Sequence, residues 1–126
     1  MRITRNIRID LEGDGEDDVL INATNYFNQR DEVPKNAPKG GSYSIVMLRR
    51  VAAGKVQTQL VAGELYSKVD APNALNIYKI AAVLDLNSDG KLEVIVHSFY
   101  YEGGETTIYQ CKPDKIEAAL SVACGA

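Results

Sequence analysis

The sequence predicts an all-β fold: two four-stranded antiparallel sheets packed together in one domain. Three observations carry this expectation. The same acidic loop occurs twice, beginning once at Asp10 and again at Asp85, an offset of 75. Each copy runs into a short β-branched apolar stretch, Val19-Leu20-Ile21 and then Val94-Ile95-Val96, of the kind that forms strands. Downstream, Gly41-Ser-Tyr-Ser-Ile45 matches Gly104-Glu-Thr-Thr-Ile108 at an offset of 63, so the likeness extends beyond the loops.

Each half then resolves into four strands in a meander. The first is expected over about 3–11, where Arg8-Ile9 leads into the first loop, and the second over about 18–27 on the far side of it. The polar stretch 28–40 carries Pro34 and Pro38 and is expected to be an inserted loop. Its counterpart is the short turn around Glu102-Gly103-Gly104, and the fall in offset from 75 to 63 puts the insertion at 12. The third and fourth strands, about 42–50 and 55–66, turn at Ala53-Gly54. In the second half, about 75–86 and 93–101 flank the second loop. About 105–111 and 115–122 then turn at Pro113-Asp114. Segments 45–53 and 114–123 contain good helix formers, but the repeat places them beside strands. The repeats run from about 1 to 70 and from about 71 to 126.

The loops carry the chemistry. The first is Asp10-Leu-Glu-Gly-Asp-Gly-Glu-Asp-Asp18 and the second Asp85-Leu-Asn-Ser-Asp-Gly-Lys-Leu-Glu93. Oxygen side chains recur at loop positions 1, 3, 5 and 9, with glycine at position 6. A chain wraps a hard cation in this way: alternate side chains point inward, glycine permits the bend, and a backbone carbonyl serves at position 7. The expected ligands are Asp10, Glu12, Asp14, the carbonyl of Glu16 and Asp18. In the second loop they are Asp85, Asn87, Asp89, the carbonyl of Lys91 and Glu93. Calcium is the expected ion, up to two per chain. Glu12 is longer than the Asp or Asn usual at position 3 and can overshoot. An EF-hand is excluded, because it needs a bidentate glutamate at position 12, where Ile21 and Val96 stand here.

Charge is segregated accordingly. The net charge is −3, and nine of the 17 acids lie inside the two loops. Outside them eight acids face 13 bases, so the remaining surface is mildly positive and two dications would bring the chain to +1. Six carboxylates in the first loop repel one another unless a counter-ion neutralises them.

Other chemistries find little in the sequence. His97 has no serine or cysteine beside it that makes a nucleophile motif, so a structural or surface role is expected and no catalytic residue is assigned. No glycine-rich phosphate loop occurs. Arg2, Arg5, Arg8 and Arg49-Arg50 do not form the dense basic stripe of a nucleic-acid binder. No apolar run approaches the roughly 20 residues of a membrane span, and the basic start lacks the apolar stretch of a signal peptide. Cys111 and Cys124 fit no zinc pattern. They lie in neighbouring expected strands and either pair, in an exported chain, or remain two buried thiols. The triplet Asn22-Ala-Thr24 fits a glycosylation sequon, but inside a strand it carries no weight.

Each half resembles an FG-GAP or VCBS-type repeat, the blade unit of integrin-like β-propellers. The matching features are Asp85-x-Asn87-x-Asp89-Gly90-x-x-Glu93 before Val94-Ile95-Val96, and Asp10-x-Glu12-x-Asp14-Gly15-x-x-Asp18 before Val19-Leu20-Ile21. The resemblance covers most of the chain. It implies two propeller-blade-like sheets, each binding calcium at the hairpin between its first two strands, and an extracytoplasmic location. The expected function is a non-enzymatic calcium-binding module serving protein binding or assembly. The alternative is an accessory domain or fragment of a secreted hydrolase or other extracellular enzyme.

Closed propellers use about four to eight blades, and only two repeats occur here. Sheet faces with aromatics such as Tyr26, Phe27, Tyr43, Phe99, Tyr100, Tyr101 and Tyr109 are therefore expected to need cover. Copies of the chain associate, or it is a piece of a longer propeller, or the sheets close on themselves under the inserted loop. A homodimer is the expected outcome.

Overall fold

The structure, a computed structural model, describes residues 2–25, 42–52, 54–66, 76–100 and 103–125. Every regular element among them is a strand. The first four are β1 (Ile3–Ile9), β2 (Asp18–Thr24), β3 (Ser42–Ala52) and β4 (Lys55–Tyr66). The second four are β5 (Ile77–Leu84), β6 (Glu93–Tyr100), β7 (Gly103–Cys111) and β8 (Ile116–Gly125). They form two antiparallel meanders, β1-β2-β3-β4 and β5-β6-β7-β8. The inserted loop 28–40, with Pro34 and Pro38, and the aromatics Tyr26, Phe27 and Tyr101 lie outside the described residues.

The segments rich in helix formers are strands. β3 is bonded to β2 and β4, and β8 pairs with β7 along its length, so sheet pairing overrides local propensity. β1 stops at Ile9, short of the expected Leu11, because the Asp10 carboxylate accepts backbone N–H groups that open a turn. Leu11 instead drops into the core at 1% exposure. β8 continues past Val122 to Gly125.

One sequence inference is corrected by the strand register. In the first sheet Leu20 pairs with Leu48, and in the second its counterpart Ile95 pairs with Ile108. The β3 and β7 counterparts thus stand at an offset of 60 rather than 63, and the insertion between β2 and β3 is 15 rather than 12. Matching of two glycine-led runs misled, because an odd shift puts every side chain on the other face of the sheet.

The core lies between the sheets. Leu20, Val46 and Leu48 from the first meet Ile80, Val94, Val96 and Cys111 from the second. Polar side chains then tie β5, an edge strand of the second sheet, to the first. Asn22, 3% exposed, donates to the carbonyls of Tyr78 (2.8 Å) and Ile45 (3.2 Å) and accepts from the Ile80 N–H (3.0 Å). The Ser44 hydroxyl accepts from the Tyr78 N–H (2.9 Å), and Arg5 donates to the Ile80 carbonyl (3.0 Å). An edge strand leaves backbone groups without a ladder partner, and here side chains from the neighbouring sheet satisfy them.

The cysteines do not pair. Cys111 lies opposite Ile116 at one end of the β7–β8 hairpin, and Cys124 lies opposite Gly104 near the other. The stretch of β7 from Gly104 to Cys111 separates them by about 20 Å at strand rise, far beyond disulfide reach. Cys111 is buried as expected, but Cys124 is exposed. Burial pushes the Cys111 thiol up to about 11, so it stays protonated at neutral pH.

Candidate metal centre

Both acidic loops bridge the first two strands of their sheet, and their internal bonds repeat. Asp10 Oδ2 accepts the Gly15 N–H at 2.8 Å, and Asp85 Oδ2 accepts the Gly90 N–H at 2.9 Å. Asp14 accepts from Glu16, and Asp89 from Lys91, each at 2.9 Å. Asp18 accepts from Leu11 at 3.0 Å, and Glu93 from Leu86 at 2.9 Å. The Gly15 amide, with those of Asp14 and Gly13, holds the Asp10 carboxyl below the usual aspartate range. Burial pushes Asp18 up, although the Leu11 N–H opposes it.

The glycine at position 6 adopts φ of 88° at Gly15 and 83° at Gly90, as the bend demands. Position 4 is also left-handed, at Gly13 (70°) and Ser88 (61°), a requirement not apparent from the sequence. The loops touch one another: the Leu92 N–H donates to the Leu11 carbonyl at 2.8 Å.

The carboxylates are arranged differently in the two loops. In the second, Asp85, Asp89 and Glu93 each place an oxygen within 4.8 Å of the others. It is the one gathering of three potential ligands among the described residues. Oxygens held at about 2.3–2.6 Å from one ion lie no more than about 4.6–5.2 Å apart, so three oxygens this close can share a single cation. Asp85 and Asp89 are exposed and Glu93 is buried, which leaves the group open to solvent on one side. Asn87 accepts the Asp89 N–H at 3.3 Å, beside this group. Lys91, Asp89 and Glu93 also line a cleft of about 120 Å³ that reaches across to Leu11 and Glu12.

In the first loop Asp10, Asp14 and Asp18 keep the same places in the chain, but Glu12 is drawn aside. Its Oε1 accepts from Arg50 Nη1 at 3.0 Å. Arg50 is 5% exposed. It also donates to Gln59 Oε1 (2.7 Å), to the Cys111 carbonyl (3.5 Å) and to the Lys112 carbonyl. It joins the first loop, β4 and the end of β7. Asp17 pairs with Arg8 at 2.9 Å, and Glu16 is exposed. Arg50 pairs with Gln57 as Gln110 pairs with Glu117, so the second sheet has a neutral residue where the first has an arginine. The first loop therefore has a built-in cation, and the second lacks its counterpart.

Sequence reasoning missed two of these groups. Asn22 stood out as a sequon and Arg50 as a basic spot. The available signal was a polar side chain in phase with Leu20, or with Val46 and Leu48, on the buried alternation of a strand. His97 lies on β6, where Nδ1 is 3.0 Å from the Thr106 hydroxyl and the ring stacks on Phe99 at 5.5 Å. No family model matches the chain, and no curated protein or solved structure matches it significantly.

Proposed function

We propose that the chain is a calcium-binding β-repeat module of the FG-GAP or VCBS type, non-enzymatic and used in protein binding or assembly outside the cytoplasm. The observation that carries this reading is the convergence of Asp85, Asp89 and Glu93 in the loop that lacks a counterpart of Arg50. Asn87 and the Lys91 carbonyl would complete the protein ligands, with water filling a shell of about six to eight oxygens. The ion would offset most of the charge of three carboxylates and pin the β5–β6 hairpin; it serves folding and needs no reacting group. A second ion at Asp10, Glu12, Asp14, the Glu16 carbonyl and Asp18 would compete with Arg50 for Glu12, so it should bind more weakly. Assembly as a homodimer is part of the reading, since two sheets leave two faces without neighbours.

Calorimetric titration with calcium tests it. We expect a tight site that Asp89→Ala removes and Asp14→Ala retains. Unchanged heats for Asp89→Ala, or no heat from the native chain, would reject the second loop as the site.

A further inference from the structure

The two sheets present opposite faces of the repeat to one another. Leu20 is fully buried, whereas its counterpart Ile95 is only half-buried. At the next positions burial inverts: Val94 and Val96 are 0% and 2% exposed, while their counterparts Val19 and Ile21 are half-buried. The first sheet uses the Leu20 face and the second uses the Val94 face, so the contact is head to tail. Such a contact consumes one face of each kind and leaves one of each kind over.

The leftover faces carry the exposed apolar residues beside a few charged ones: by register Arg8 and Arg49 lie on the first and Lys79 and Glu117 on the second. By register, Ile3, Val51, Val56, Leu60 and Leu65, all 52–69% exposed, share the Ile21 face of the first sheet. Leu84, Leu120 and Val122, 49–64% exposed, share the Ile95 face of the second. Every exposed large hydrophobic residue in a described strand thus falls on one of these two faces. The chemistry of the existing contact is kept: Ile95 and Ile108 stand for Leu20 and Leu48, and Val19 and Ile21 stand for Val94 and Val96.

We propose that the Ile95 face of one chain receives the Ile21 face of a second copy, repeating between chains the contact made within each. The occupant follows from the internal interface, which already shows which face this repeat accepts. Two chains can make the contact twice and close a twofold ring of four sheets. The polar bridges Asn22 and Ser44 have His97 and Gly104 as counterparts, so apolar burial must hold this contact. The inference rests on the assembly reading above for the presence of a second copy, and not on calcium.

Light scattering on two surface variants tests it. Leu120→Lys spoils the second-sheet face and Leu60→Lys the first-sheet face. The native chain should have dimer mass, and each variant alone should be monomeric. An equimolar mixture should recover a one-to-one dimer through the single pair of intact faces. If either variant alone keeps the dimer mass, or the mixture stays monomeric, the head-to-tail contact is wrong while assembly stands. A monomeric native chain would refute assembly itself. Should a variant lose its far-ultraviolet circular dichroism, Val122→Lys and Val56→Lys report on the same faces.

Discussion

Arg50→Ala should destabilise the chain by about 3–5 kcal/mol, the range for removing one partner of a buried ion pair. Arg50 is 5% exposed and its guanidinium spans three elements, so truncation leaves Glu12, Gln59 and the carbonyls of Cys111 and Lys112 without their donor. These contacts are buried at the Cys111 carbonyl and part-buried at the others, so losing the donor exposes part of their desolvation penalty. Arg50→Lys should recover only part of the loss, because one ammonium cannot span the positions reached by a planar fork. Urea unfolding in chelator, where no metal contributes, gives the comparison. A change within about 0.5 kcal/mol, the range of ordinary surface substitutions, would show that Arg50 does not join the sheets.

Calcium should raise the melting temperature by roughly 10 °C at a hundredfold excess over the dissociation constant. Binding restricted to the folded chain contributes about 2.7 kcal/mol under that condition, and a domain of this size shifts by roughly 4 °C per kcal/mol. Asp89→Ala should lose most of this shift, keeping only what the weaker first-loop ion adds, since it removes a central member of the convergent group. Coincident curves for the native chain would leave the second loop an acidic turn held by its own backbone amides.

The acidic loops were legible because their chemistry is local. Alternate oxygens and a glycine within one short loop dictate the turn, and the structure repeats its bonds from Asp10 to Asp85 and from Asp18 to Glu93. The strands were legible because the repeat doubled a weak signal, enough to place β3 and β8 against their helix-forming composition. What failed was non-local. Asn22 bonds to backbone 56 and 58 residues away, and Arg50 to carbonyls 61 and 62 away. No window of sequence contains those partners. The β3–β7 offset failed because composition cannot detect which face a strand buries. The fate of Glu12 was only half legible: its length showed that it can overshoot position 3, but not that Arg50 would hold it.

Native mass spectrometry of the purified chain, with calcium and after chelation, tests the central claim most directly because it counts copies and ions together. The account predicts a dimer carrying at least one calcium per chain, with the ion lost on chelation. A monomer that holds no metal at saturating calcium would contradict it.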